Sequence, residues 1–276
     1  MGFMQTIRQR WTDANSLVCV GLDPEPAKFP AGFADDSDAV FHFCRDIVDA
    51  TAAFACSFKP QIAHFAALGA ENSLERLIAH IHARHPGIPV ILDSKRGDIG
   101  STARHYASEA FDRYGADAVT VNPYLGRDAV QPFLDRADRG VIVLCRTSNP
   151  GAGDLQDLPV ATADGQTRPL YEHVAQTVAR DWNANGNCAL VVGATWPEQL
   201  RAVRDIVGDD MPLLVPGVGA QGGDVAAVVG NARSADGGGL IVSSSRAILY
   251  GSGRGNHVES AAMAARLLRD DINRSR

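Results

Sequence analysis

Eight short apolar runs recur along the 276 residues with amphipathic stretches between them, and this alternation restricts the fold more than any other feature. The runs are Leu17 to Leu22, Ala55 to Lys59, Val90 to Asp93, Ala118 to Val121, Val141 to Cys145, Ala189 to Val192, Leu213 to Val215 and Gly239 to Val242. Each has strand length, and most are continuous in branched or small apolar residues, as strands buried on both faces of a parallel sheet require. Between them, Ser73 to His85, Ser101 to Tyr114, Arg127 to Arg136, Leu170 to Trp182 and Pro197 to Val207 carry apolar residues at helical spacing. Strands alternating with helices build right-handed βαβ units and a parallel sheet. Eight units in a chain of this length match one (β/α)8 barrel, a TIM barrel, as a single domain over residues 1–276; a doubly wound sheet usually has fewer strands. A helix from Phe3 to Thr12 is expected to cover the barrel bottom. The stretch from Asn149 to Arg168, rich in Gly, Asp and Pro, is expected to be a long loop after the fifth strand.

Composition narrows the partners. Hydrophobic residues make up 45% and charged residues 21%, enough for a sizeable core. A net charge of −6 argues against nucleic acid or an anionic membrane as partner, since both call for basic surface. An anionic small molecule would need a local positive site. The five cysteines, Cys19, Cys44, Cys56, Cys145 and Cys188, are odd in number and lack C-x-x-C spacing, as expected of reduced core thiols in a cytoplasmic protein. The opening MGFMQTIRQRW lacks the apolar segment of a secretory leader, and no apolar run is long enough to span a bilayer. The eight histidines fall mostly on helical patterns without a zinc spacing, so no metal is expected.

Active sites of such barrels sit at the carboxyl ends of the strands. Those ends carry Asp23, Lys59, Asp93 with Lys95, Asn122, Arg146 with Thr147 and Ser148, Thr195, Pro216-Gly217, and Ser243 to Arg246. The densest is Ile91-Leu-Asp93-Ser-Lys95-Arg-Gly-Asp98. Positions i and i+2 of a strand share a face, so Asp93 and Lys95 project together, with Asp98 past the strand end. Charges on the inner face of a core strand are costly unless paired or used, which leaves a structural ion pair and a catalytic array as the two readings. Two other ends suit an anion. The glycines of Pro216-Gly-Val-Gly-Ala-Gln-Gly-Gly223 let main-chain N–H groups approach it, and Ser243-Ser-Ser-Arg246 adds hydroxyls and a guanidinium. Phosphate sites in this fold are frequently built from the loops after strands seven and eight.

Together these residues resemble the orotidine 5′-phosphate decarboxylase family, in its longer bacterial branch. The resemblance runs from Gly21-Leu-Asp23 to Arg246, and its most specific element is Asp93-x-Lys95-x-x-Asp98-Ile-x-x-Thr102 joined to Lys59 and to Pro216-Gly-Val-Gly. It implies a cofactor-independent carboxy-lyase, with no metal, that converts orotidine 5′-monophosphate to UMP in pyrimidine biosynthesis. Lys59, Asp93, Lys95 and Asp98 would form a charged array at the reacting carbon, with Lys95 as proton donor. Asp98 and Thr102 would enter the neighbouring subunit's site, making the enzyme a homodimer. Asp23 would hold a ribose hydroxyl; Gly217, Gly219, Gln221, Ser245 and Arg246 would surround the 5′-phosphate; and Thr147 or Ser148 would meet the pyrimidine. One departure stands out: many members place a tyrosine soon after the glutamine of the phosphate loop, and none lies between Pro216 and Gly237.

Two other functions fit parts of this pattern. A Mg2+-dependent phosphosugar decarboxylase or aldolase of the same superfamily shares the Asp-x-Lys-x-x-Asp strand end but needs further carboxylate ligands, and here Lys59 stands where one would be. A non-catalytic nucleotide-binding barrel would keep the phosphate site, yet such copies have no use for costly buried charges.

Overall fold

The computed structural model describes residues 1–33, 38–162, 165–218, 224–251 and 256–276. Helix α1 (Phe3–Asp13) precedes strand β1 (Val18–Leu22), and α2 (Ala39–Thr51) leads to β2 (Ser57–Pro60). Helices α3 (Ile62–Ala66) and α4 (Glu71–Arg84) lead to β3 (Ile91–Arg96), and α5 (Gly100–Ser108) to β4 (Ala118–Val121). After α6 (Arg127–Leu134) and β5 (Gly140–Arg146) comes an excursion of α7 (Gly153–Gln156), β6 (Pro159–Ala161) and β7 (Thr167–Pro169). The chain continues through α8 (Leu170–Thr177), β8 (Cys188–Val192), α9 (Pro197–Val207), β9 (Leu213–Pro216) and α10 (Val225–Ala232). It ends with β10 (Leu240–Ser244), α11 (Arg246–Leu249) and α12 (His257–Ser275).

All eight apolar runs are strands of one parallel sheet, in the order β2-β1-β10-β9-β8-β5-β4-β3. Its two ends meet through parallel bridges from Phe58 to Val90 and from Gln61 to Asp93, which close the barrel. Strands β1, β2, β4, β8 and β10 are buried along their whole length, as their continuous apolar runs require. Each fully buried Leu, Ile, Val or Phe contributes about 1.5–3 kcal/mol of hydrophobic free energy, which conformational entropy largely offsets.

At the barrel bottom α1 buries Phe3, Ile7 and Trp11, a spacing of four that places them on one helical face. Gly140 is small because Phe3 lies there: a Cβ would stand 2.3 Å from that ring. Helices α5 and α8 end in π-helical turns, Glu109–Arg113 and Val178–Trp182, so the helices expected at 101–114 and 170–182 change winding in their last turns.

The stretch from Asn149 to Arg168 is not the long loop expected from its composition. It folds into a turn at Pro150–Ala152, helix α7, and an antiparallel pairing of β6 with β7. Strands of three residues bounded by prolines are too short to show alternation, which hides them in the sequence.

Candidate active site

Strand β3 changes character midway: Ile91, Leu92 and Asp93 are buried, and from Ser94 to Arg96 the strand opens to solvent. The change coincides with a shift of register against β4 between Leu92 and Arg96. There Lys95 adopts φ +50°, left-handed backbone that a non-glycine residue enters only at a cost. Thr120 of β4 sustains it. Its Oγ1 accepts from the backbone N–H groups of Ser94 and Lys95, both at 3.0 Å, and donates to Asp93 Oδ1 at 2.9 Å. Beyond the bend, Arg96 donates twice to Glu109, at 3.1 Å each, and lies over the Tyr106 ring, tying the strand end to α5 and the turn after it.

Asp93 joins two ammonium groups. Lys59 Nζ donates to its Oδ2 at 2.7 Å and Lys95 Nζ to its Oδ1 at 2.5 Å. The Lys59 and Asp93 side chains are 6% and 8% exposed, whereas Lys95 is 43% exposed and is not among the residues lining the cleft over Lys59 and Asp93. Burial alone would raise the Asp93 carboxyl, but the charge of Lys59, then of Lys95, outweighs it and holds the group well below the usual carboxylate range. Burial alone would likewise lower Lys59; Asp93, then Asp23, reverse this and hold the ammonium above the usual lysine range. Asp93 is thus held between two lysine side chains, Lys59 buried and Lys95 exposed.

A cleft of about 210 Å³ opens over this array, lined among others by Asp23, Lys59, Asp93, Gly217, Ser245 and Arg246. Six of the residues singled out from sequence thus converge. Gly21 permits the convergence, because a Cβ there would stand 1.9 Å from Ser245 Oγ. Asp23 Oδ1 is buried without a hydrogen-bond partner, while its main-chain oxygen accepts from Tyr250 Oη at 3.1 Å. An unpaired buried carboxylate oxygen is costly and marks a place for a missing donor. Thr147 and Ser148 lie outside the lining of this cleft, on the turn after β5. The Thr147 hydroxyl is engaged by Asn149 and Gln156, at 2.6 and 2.9 Å. Ser148 packs where Gly193 has no side chain, since a Cβ there would meet it at 2.7 Å. Gly219 and Gln221 lie outside the described residues.

Asp98 and Thr102 do not join the array within the chain. Asp98 Oδ1 accepts from the Ile99 N–H at 2.7 Å, no hydrogen bond or ion pair joins it to Lys95, and Thr102 is exposed on α5.

Residues 16–263 match the model of the Orotidine 5′-phosphate decarboxylase / HUMPS family. The chain belongs to this family. An orotidine 5′-phosphate decarboxylase of Aromatoleum aromaticum is 60% identical over 276 residues, covering all of both chains. One of Azoarcus is 61% identical over 274 residues, covering 99% of each. The solved OMP decarboxylase of Leishmania donovani superposes with a TM-score of 0.85 at 37% identity, over 100% of this chain and 98% of that one. The barrel expected from strand–helix alternation is thus the fold of the orotidine 5′-phosphate decarboxylase family.

Residues of the site that sequence reasoning passed over are Gln61 and Thr120. Gln61 lines the cleft two positions after Lys59, on the same face by strand periodicity, which was the signal available. Thr120 is the one polar residue in the run Ala118-Val-Thr-Val121, and a polar residue inside a buried strand calls for a partner. The cysteines are all buried and free; burial pushes their thiols up, to about 12 for Cys145 and Cys188, which makes them packing residues rather than nucleophiles.

Proposed function

We propose that this chain decarboxylates orotidine 5′-monophosphate to UMP and CO2 in pyrimidine biosynthesis, as a cytoplasmic enzyme of one barrel domain that needs no cofactor. The observation that carries this reading is Asp93 held between Lys59 and Lys95, with Asp93 and Lys59 lining a cleft that Gly217, Ser245 and Arg246 also line. When the bond from C6 to the carboxylate breaks, its electron pair stays on C6 in an orbital in the ring plane, out of reach of the π system. External charge must stabilise it. The partly exposed ammonium of Lys95 supplies that charge and then passes a proton to C6, and solvent restores the proton to the amine afterwards. Asp93 and Lys59 keep this ammonium in place.

Asp23, with its free buried oxygen, holds a ribose hydroxyl. The 5′-phosphate lies toward Gly217, Ser245 and the exposed Arg246. Ser148 is the better candidate for the pyrimidine, because the Thr147 hydroxyl is already engaged. The Mg2+-dependent alternative fares poorly: two ammonium groups and a hydroxyl occupy the Asp93 oxygens that a metal would need. The test is the ultraviolet absorbance of orotidine 5′-monophosphate mixed with protein in EDTA. Conversion to UMP is expected; activity that EDTA abolishes and Mg2+ restores would overturn the reading.

The active form is a homodimer with shared sites. Asp98 and Thr102 stand outside their own chain's cleft, and Ile99, Tyr124 and Leu125, apolar and exposed, lie on the adjoining loops after β3 and β4. Exposed apolar groups around a carboxylate with no ion pair among the described residues suit a surface that another copy covers. Lys95→Ala and Asp98→Ala proteins should each be nearly inactive, and after subunit exchange the mixture should recover about a quarter of wild-type activity, since half the dimers carry one intact site. No recovery despite demonstrated exchange would show that Asp98 serves its own chain.

A further inference from the structure

At the end of the barrel opposite the cleft, the last turns of α2 and α4 bring Asp49, His80 and His85 together. His80 Nε2 and His85 Nε2 each lie 2.7 Å from the same oxygen, Asp49 Oδ1. One ligand atom from each residue falls within 4.8 Å of both others. The histidine side chains are 17% and 21% exposed and Asp49 is 45% exposed, so the group is held yet open on one side. The histidines are spaced i,i+5, one position more than a helical face allows. His85, however, is the C-cap of α4 with φ −129° and ψ 58°, and the departing backbone turns its ring back toward His80. This is why no zinc spacing is visible in the sequence.

As a surface hydrogen-bond cluster the arrangement would contribute little to stability. As a donor set it is specific. Two imidazole nitrogens and a carboxylate oxygen from rigid helices match the three protein ligands of open zinc sites, with a fourth position left for water. Bonds of about 2.1 Å at tetrahedral angles place ligand atoms about 3.4 Å apart, so the 2.7 Å contacts need open by less than about 1 Å. Imidazole favours Zn2+, Ni2+ or Cu2+ over Mg2+ or Ca2+, which take oxygen ligands. The neighbouring charged groups do not compete: Asp46, one turn before Asp49 on α2, is taken by Arg45 and faces His257, and Arg76 of α4 lies over Phe41 and pairs with Asp38.

We propose that Asp49, His80 and His85 form a binding site for a divalent transition ion, Zn2+ foremost, that clamps α2 to α4 and stands apart from the metal-free chemistry of the cleft.

Tag-free protein stripped with EDTA and dialysed should be titrated calorimetrically with ZnCl2 at neutral pH. One ion per chain is expected, with a rise in Tm and unchanged EDTA-treated activity on orotidine 5′-monophosphate. Replacing one ligand, in His80→Gln or His85→Gln, should weaken binding by about tenfold or more. Absence of saturable binding at submillimolar Zn2+, or equal binding in wild type and both variants, would overturn the site. Co2+ added to the wild-type protein gives a check that needs no variant: intense visible bands of tetrahedral imidazole ligation support the site, and the spectrum of the free aquo ion refutes it.

Discussion

Lys95→Ala protein is expected to lose decarboxylation by about 10⁴-fold or more while its Tm changes little. A preorganised charge aimed at developing negative charge contributes about 10²–10³ in rate, and a positioned general acid about 10²–10⁴; in the proposed mechanism one ammonium supplies both. The structural cost is small, because Lys95 is 43% exposed and Asp93 keeps its contacts with Lys59 and Thr120 when Lys95 is gone. Single-turnover decay of orotidine 5′-monophosphate, with circular dichroism to verify folding, measures both quantities. Turnover within tenfold of wild type would remove Lys95 from the chemistry. Thr120→Val should give the same phenotype in smaller measure. It leaves the Ser94 and Lys95 N–H groups without their acceptor and removes a donor from Asp93, so the left-handed turn that aims the ammonium relaxes. Thr120→Ser, which keeps the hydroxyl, should restore kcat.

The sequence made the barrel legible because burial on both faces leaves a continuous apolar run at each strand, and every such run appears within a few residues of its place. What it concealed depends on pairs distant in the chain. The Asp93-x-Lys95 spacing marks a shared strand face, but the ammonium reaches Asp93 from a residue whose backbone has left strand geometry, and the hydroxyl that permits this comes from the next strand. Asp93 and Lys59 are separated by 34 positions and join only because β2 and β3 meet at the barrel closure. The segment after β5 read as a loop because its order rests on short pairings and on Gln156 reaching back to the Thr147 N–H, neither of which has a periodic signature. His85 escaped a metal reading because ligand spacing rules assume a helix, and it sits where the helix stops.

The buried part of the charged array should be visible in stability as well as in rate. Asp93→Asn strands the Lys59 ammonium, 6% exposed, without its hydrogen-bonded counter-ion, leaving the weaker influence of Asp23 to oppose it. Removing one partner of a buried pair costs about 3–5 kcal/mol, which urea unfolding should read as a clear fall in midpoint at neutral pH. The pH dependence follows from the direction of each shift. The folded Asp93 carboxyl is held below its unfolded value of about 3.9, so its stabilisation is complete above that pH and is lost as pH falls toward the folded value. Lys59 in the wild type is held above its unfolded value of about 10.4; its contribution is complete below that pH and disappears as pH rises toward the folded value. In the variant, burial is no longer outweighed by Asp93. The unfolded chain then binds the Lys59 proton more tightly than the folded one, so the variant gains stability as pH rises. The gap between the two proteins should be widest across neutral pH and narrow at both ends, and a constant gap would refute the electrostatic account. A Lys59→Met/Asp93→Asn protein removes both buried charges and should recover most of the lost stability without recovering turnover. That outcome would establish that these charges are kept at this strand end for the reaction, at a cost to the fold.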